Sequence, residues 1–327
     1  MKNKKPPFEI TSAIINYVAE ISELIGRLTS SQALSATPTL RRTNRIRTIH
    51  ASLAIEQNTL TIEQVTAVIN GKTVLAPPKD IAEVKNAYEI YDRLDELNPY
   101  STDDLLTAHG IMTRDLIEDS GIFRSRPVGI VDKNGQILHF GTLPQYVPEL
   151  VEELIGWIKK SDLHMLIKSC VFHYEFELIH PFSDGNGRIG RLWHTLLLSK
   201  WNPLFSWLPV ESIIHKRQND YYNAINASNA AGESTVFVEF MLSAIKASLI
   251  DAINMSDGMS DENTNKTAHR QNVVVRHLEK NGIIMNSDVR NLFGVSSATA
   301  NRILADLVKR EIIEKCRNGG NWAYILK

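Results

Sequence analysis

The sequence predicts an all-α main domain broken by one small β-hairpin, followed by a compact C-terminal unit of three helices and a second hairpin. Three observations carry this. Apolar residues recur at three- and four-residue steps over most of the 327 residues. The texture changes to short extended runs only around 123–140. A polar stretch at 256–267, SDGMSDENTNKT, then separates the body from the C-terminal unit and reads as a linker.

The elements come in chain order. Ile14, Val18, Ile21, Ile25 and Leu28 mark a first helix. Thr61-Ile62-Glu63-Gln64 is a capping box that opens a helix through Val65 and Val68. A further helix spans 81–97 and is closed by Asn98-Pro99. Val128, Ile130 and Val131, then Asn134-Gly135, then Ile137, Leu138 and Phe140 describe a hairpin turning at Asn-Gly. Helical pattern resumes at Leu150 and runs on through Leu163, Leu166, Cys170 and Tyr174. It returns at 192–198 and at 237–253. The domain boundaries expected are an N-terminal helical region at 1–110, a core at 111–255, the linker at 256–267 and a C-terminal domain at 268–327.

Composition narrows the function classes. The chain is 43% hydrophobic and 22% charged with a formal net charge of −1, so nothing global draws it to nucleic acid or an anionic membrane. Cys170 and Cys316 are the only cysteines, too few for a disulfide framework or a Cys-rich zinc site. The basic start MKNKKPPFEI lacks an apolar core behind it, and no window approaches a bilayer-spanning length. The expectation is a soluble cytoplasmic protein with no membrane role.

The chemistry concentrates in residues 180–191, HPFSDGNGRIGR. Pro181 disfavours helical torsions at His180, so the incoming helix should end near Ile179 with the imidazole at its exit. Gly185 and Gly187 flank Asn186, a composition that turns successive backbone N–H groups into one concavity. The helix starting there adds its own unpaired N–H groups and positive dipole end. Arg188 and Arg191, three apart, share a face at that end. Together these suit a polyphosphate, and Asp184 offers an oxygen ligand for a Mg²⁺ shared with phosphate oxygens. His180 would take a proton from an attacking hydroxyl. Gly71-Lys72-Thr73 is not a phosphate loop, because Thr66 stands where the first glycine is required. Glu177 and His180 have the spacing of a di-iron half-site, but no second half-site exists in the sequence.

The stretch from His180 to Arg191 resembles the Fic motif, HxFx[D/E]GNGRxxR, at every defined position. His173, Phe176 and Ile179 match the residues that precede that motif, and the similarity covers about residues 45–245. The resemblance implies an all-helical core with a hairpin flap, and transfer of AMP from ATP to a Ser, Thr or Tyr hydroxyl of a target protein or of the chain itself. It assigns His180 as general base, Asp184 as Mg²⁺ ligand, and the Gly185, Asn186 and Gly187 region as phosphate cradle. Arg188 and Arg191 would hold the β- and γ-phosphates, and Tyr221, Tyr222 and Asn229 would line the adenosine pocket. The 123–140 hairpin resembles the flap that registers a target segment by strand addition.

Ser52-Leu53-Ala54-Ile55-Glu56 resembles the inhibitory helix of the same family, [S/T]xxxE[G/N], in which the glutamate pairs with the second motif arginine, here Arg191. Ser52 and Glu56, four apart, are expected on one helix face. Gln57 departs from the pattern, since Gly or Asn is expected there to end the helix in a left-handed turn. Asn58 offers the same stop one residue later.

The C-terminal unit reads as helices at 273–278, 287–293 and 297–309 with a turn at Gly294-Val295-Ser296, then strands around Gly319-Gly320. That order resembles a winged helix-turn-helix domain. From Thr267 onward ten Lys and Arg face five Asp and Glu, a net +5 that suits phosphate contacts. Yet the start of the third helix, Ser297-Ala298-Thr299-Ala300-Asn301-Arg302, carries one cation, so DNA binding and protein docking both stay open.

Three functional readings therefore stand. The first is an autoinhibited protein adenylyltransferase. The second reverses the transfer by removing AMP, or uses another nucleotide. Gly187 argues against the phosphorylating relatives, which carry lysine there. The third is a DNA-binding regulator with a nucleotide-sensing Fic domain. A homodimer that buries Glu56 at its contact is one arrangement by which the brake would be controlled.

Overall fold

The computed structural model of the chain describes residues 5–30, 38–131, 137–318 and 321–327. The chain divides into two compact units, Met1–Ile253 and Asn254–Lys327. The region 1–110 lies in the first, and so does 111–255 except for its last two residues.

In the first unit, α1 (Ser12–Ser30), α2 (Pro38–Ile55), α3 (Ile62–Ile69), α4 (Pro78–Asp92) and α5 (Thr102–Met112) precede the hairpin. Ile14, Ile21, Ile25 and Leu28 of α1 are buried, as their spacing requires. The Thr61–Gln64 capping box forms in both directions. α4 is shorter than the 81–97 pattern suggests. It begins behind Pro77, with Pro78 in its first turn, and gives way after Asp92 to a 3₁₀ turn at Leu94–Glu96.

Strands β1 (Gly129–Val131) and β2 (Ile137–Phe140) pair antiparallel with an irregularity between Ile130 and Val131. The Asn134-Gly135 turn expected between them, like Gly319-Gly320 further on, lies outside the described residues. Beyond the hairpin come α6 (Val147–Lys160), α7 (Met165–Ile179), α8 (Asn186–Trp201), α9 (Val210–Lys216) and α10 (Gln218–Ala231). The helical pattern read as continuous from Leu150 is in fact two helices. The His164 imidazole accepts from the Leu166 N–H at 3.2 Å and caps a new start.

Two apolar clusters fill this unit, and α7 feeds both. Leu166, Ile167, Cys170, Val171 and Tyr174 join the cluster containing α1, α9 and α10 residues. Phe172, Phe176 and Ile179 join the cluster built from α2 to α6. A helix apolar all round must be buried on every side. α8 is likewise buried along nearly its whole length. The 180–191 turn between them is therefore held by the two most enclosed helices of the unit.

Helix α11 (Thr235–Asn281) covers the stretch at 256–267 that its polarity marked as a linker. Polarity removes the drive to bury a segment but leaves its helical hydrogen bonds available. In the second unit, α12 (Asn286–Phe293) and α13 (Ser297–Lys309) lead into β3 (Ile313–Asn318) and β4 (Asn321–Leu326). Gly294 is left-handed at the end of α12, and Ser296 caps α13 through the Thr299 N–H. Val274, Leu278, Ile284, Val289, Ala300, Leu304 and Ile313 form the core of this unit. β3 and β4 pair antiparallel from Ile313 opposite Leu326 to Asn318 opposite Asn321.

Candidate active site

The α7–α8 turn is built around a strained residue. His180 ends α7 with φ 51° and ψ 63°, a left-handed conformation uncommon outside glycine. Its N–H donates to the Phe176 carbonyl at 3.0 Å. Phe182 then turns inward, fully buried, and stacks on His109 with ring centroids 3.6 Å apart. The Asn186 side chain closes the loop. It accepts from the Phe182 N–H at 2.9 Å and donates to the Phe182 carbonyl at 2.8 Å. That side chain is thus occupied by the loop itself, leaving backbone groups of the turn to face a ligand. Gly185 (φ 86°) is the left-handed residue before α8.

The two motif arginines are buried, each beside a carboxylate. Arg188 lies 3.3 Å from Glu83 and 3.3 Å from Asp184. Arg191, 1% exposed, donates from Nη2 to Glu56 Oε1 at 2.7 Å and to the Ser52 carbonyl at 3.0 Å. Its Nε donates to the Ser52 hydroxyl at 3.1 Å. Burial alone would lower the Arg191 pKa, but Glu56, Tyr221 and Glu177 together outweigh that and hold the guanidinium above its ordinary value. A Cβ at position 187 would collide with Glu56 Oε1, so the glycine at the start of α8 is what lets that carboxylate lie there.

Glu56 itself lies one residue past α2, not within it. The Asn58 N–H donates to the Leu53 carbonyl at 3.1 Å and the Gln57 N–H to the Ala54 carbonyl at 3.0 Å. This is a Schellman arrangement, and Gln57 takes its left-handed position with φ 69°. The stop therefore falls on Gln57 rather than on Asn58. The Asn58 side chain is committed elsewhere, donating to Glu83 at 2.8 Å and to the Asp80 carbonyl at 3.1 Å. Ser52, on the last turn of α2, and Glu56, just beyond it, still converge on one arginine.

Beneath Arg191 lies a titratable cluster. Burial pushes the Glu177 carboxyl up to about 7, with Arg191 opposing and Glu56 adding to the shift. Burial, then His194 and Arg191, hold the His173 imidazole well below its ordinary value. The 3.8 Å approach of His173 to Glu177 is accordingly not a charged pair. Tyr221 is buried and its hydroxyl lies 3.1 Å from His173 Nε2. Tyr222 is 42% exposed, and Asn229 accepts from the Tyr174 hydroxyl at 2.9 Å. Of the two tyrosines, only Tyr222 offers a ring face to solvent.

Residues 99–198 match the family profile described as the Fic/DOC family. A solved structure of a Fic family protein from Desulfovibrio desulfuricans G20 shares 41% identity, with a TM-score of 0.77 over 99% of this chain and 98% of that one. This chain belongs to the Fic family. The protein adenylyltransferase fic-1 of Caenorhabditis briggsae is 29% identical over 246 residues, 69% of this chain and 45% of that protein. This Fic protein spans under half the length of the first curated relatives it matches. The Fic-1 fragment from C. elegans, at 21% identity and a TM-score of 0.60 over 75% of this chain and 74% of that one, shares the fold.

Three residues of the Fic site escape a reading of the sequence. Glu83 lies four residues after Lys79 on α4 and looks like half of a surface pair. It is 5% exposed and holds both Arg188 and Asn58. His109 accepts the Gly121 N–H at Nδ1 (2.9 Å), which leaves Nε2 to donate to the Asp184 carbonyl at 3.0 Å. Arg124 lies buried behind His180. No local spacing announces any of them, because each acts on a segment 56 or more positions away. Among the described residues, no helix is long and apolar enough to cross a membrane.

Proposed function

We propose that this protein is an adenylyltransferase restrained by its own Glu56. The observation that carries the reading is the Arg191–Glu56 pair at the start of α8, where a nucleotide's terminal phosphate would need the same guanidinium.

In the productive state the ATP phosphates lie along the start of α8. Backbone N–H groups around Gly185, Asn186 and Gly187 and the Arg188 and Arg191 guanidinium groups neutralise them. Tyr222, Tyr221 and Asn229 flank the nucleoside. Asp184 suits Mg²⁺. Its carboxylate is half exposed beside the phosphate cradle. When bound, Mg²⁺ would supply charge neutralisation on the leaving pyrophosphate. A target Ser, Thr or Tyr hydroxyl oxygen attacks the α-phosphorus as the bond to pyrophosphate breaks. His180 takes the hydroxyl proton. The β1–β2 hairpin registers the target segment by strand addition.

The test is mass spectrometry of the purified chain, its Glu56→Gly, His180→Ala and Arg191→Ala variants, after incubation with Mg·ATP. A gain of AMP in Glu56→Gly that disappears in His180→Ala supports the reading. No covalent change in Glu56→Gly overturns it.

A second reading concerns the C-terminal unit, which we propose is a winged helix-turn-helix that contacts DNA. Trp322 is 52% exposed, with Lys315 Nζ 3.8 Å from its ring centroid and the Arg317 guanidinium 4.5 Å away. An exposed aromatic flanked by cations favours nucleic acid over a neutral docking face. A mobility shift on random duplex DNA that weakens with salt supports it, and no shift at low salt favours protein docking.

A further inference from the structure

Arg124 ties together more of the backbone around the candidate site than any residue of the motif, and it is not in the motif. Its side chain is 3% exposed. Nε donates to the His180 carbonyl at 2.6 Å, and Nη2 to the Ile179 carbonyl at 3.3 Å. Nη2 also donates to the Thr142 carbonyl, and Nη1 to the Arg126 carbonyl at 3.0 Å. Its own backbone N–H donates to the Pro181 carbonyl at 3.1 Å. One residue thus bonds three consecutive carbonyls of the α7–α8 turn and one carbonyl on each side of the hairpin.

All these acceptors are neutral backbone oxygens, and burial pulls the Arg124 pKa down. A charge kept there without a carboxylate has its use in geometry. Only a guanidinium presents five N–H donors in a rigid plane, and a lysine ammonium cannot reach four carbonyls on two segments at once.

What is held is the backbone of His180. Its N–H is fixed by Phe176 and its C=O by Arg124, so both peptide planes flanking its Cα are set and with them the direction of Cβ. The left-handed torsions of His180 persist only if the surroundings over-determine them. The hairpin meets the same point. A Cβ on Gly141 would lie 3.5 Å from His180 Cβ and 3.0 Å from Arg124 Nη2, so the chain leaving β2 passes against both.

We propose that Arg124 is the positioning residue that locks His180 to the hairpin, so that the edge which docks a target strand and the base which deprotonates its hydroxyl share one anchor. This rests on the adenylyl-transfer reading. It adds that displacement of the hairpin at Thr142 is passed to His180 through the Arg124 guanidinium. Arg124 acts through His180 and touches no reacting atom, so its loss changes turnover and leaves nucleotide affinity in place.

The experiment uses full-length chain in the Glu56→Gly background, comparing the parent with Arg124→Lys and Gly141→Ala. Three quantities are read: the rate of AMP transfer, ATP affinity by titration, and the His180 ring signals in selectively histidine-labelled protein. A misplacement on the order of 1 Å costs about 100-fold in rate, which is the fall expected in Arg124→Lys, with ATP affinity unchanged and the His180 signals displaced. Gly141→Ala, which crowds Arg124 from the hairpin side, should move the same signals and slow transfer in the same sense. Full transfer and unmoved His180 signals in Arg124→Lys overturn the proposal. Should Arg124→Lys fail to fold, unchanged transfer and signals in Gly141→Ala overturn it instead. If the Glu56→Gly parent itself transfers no AMP, the adenylyl-transfer reading fails. The His180 signals then still decide whether Arg124 sets that residue.

Discussion

Glu56 Oε1 lies 2.7 Å from Arg191 Nη2 across 135 positions of sequence, with the arginine buried and the glutamate about a third exposed. A charge-assisted bond of this kind is worth about 1.5–3 kcal/mol, so a ligand that needs Arg191 must first displace a well-placed competitor. Glu56→Gly is therefore expected to raise self-AMPylation by about 10-fold or more. Arg191→Ala should abolish transfer with or without that change. Labelling from radiolabelled ATP checks both, and equal labelling of wild type and Glu56→Gly counts against the brake.

Gln57 supplies a second expectation. A non-glycine side chain in the left-handed region costs about 1–2 kcal/mol, and Gln57 sits there at φ 69°. Gln57→Gly keeps the Schellman bonds and relieves that strain. It should raise the melting temperature by about 2–4 °C and hold Glu56 more firmly, lowering basal labelling. A lower melting temperature would show that Gln57 contributes contacts outweighing its torsional cost.

Glu83 is expected to matter to stability out of proportion to its place on a helix surface pattern. It is buried against Arg188 at 3.3 Å and also accepts from Asn58. Removing one member of a buried pair strands the other, at a cost of about 3 kcal/mol. Urea unfolding of Glu83→Ala should show that loss, whereas an effect under about 0.5 kcal/mol, as for an ordinary surface residue, would mean that Asp184 suffices for Arg188.

Glu177 predicts a pH dependence. Burial raises its carboxyl from an ordinary 4.5 to about 7, facing Arg191, Glu56 and neutral His173. Its Oε1 has no hydrogen-bond partner among the described residues. Between those two values the folded chain keeps a proton that the unfolded chain has released. Its contribution is therefore fully present below pH 4.5 and is lost as pH rises to about 7. The loss should be about 3 kcal/mol. Glu177→Gln should flatten that part of the stability profile, measured by chemical unfolding at half-unit pH steps. A profile unchanged from wild type would place the titration elsewhere.

The sequence by itself determined the local elements and the chemistry of one turn. Periodicity placed several of the helices, among them α1, α3 and α8, Thr61 and Gln64 closed their box, and Pro181 stopped α7 at Ile179. These are short-range effects, complete within a few residues, so they can be read in one dimension. The dense polar composition of 180–191 was legible for the same reason. The ends of helices were less so. Gln57 took the left-handed position, and the Asn58 side chain instead bonds Glu83 and the Asp80 carbonyl on α4, far along the sequence. The break at residues 161–164 depended on His164 capping the start of α7.

Which charges meet was decided only by the tertiary structure. Arg188 has Glu83, Arg191 has Glu56 and Ser52, and His180 has Arg124 behind it. Arg191 faced a carboxylate by resemblance, but nothing within a few residues of His180 or Arg188 names Arg124 or Glu83. Buried charges are tolerable only when paired or fully hydrogen-bonded at close range. The match is made by packing α2, α4 and the hairpin base onto the α7–α8 turn, and that packing is a property of the whole core rather than of any stretch of chain.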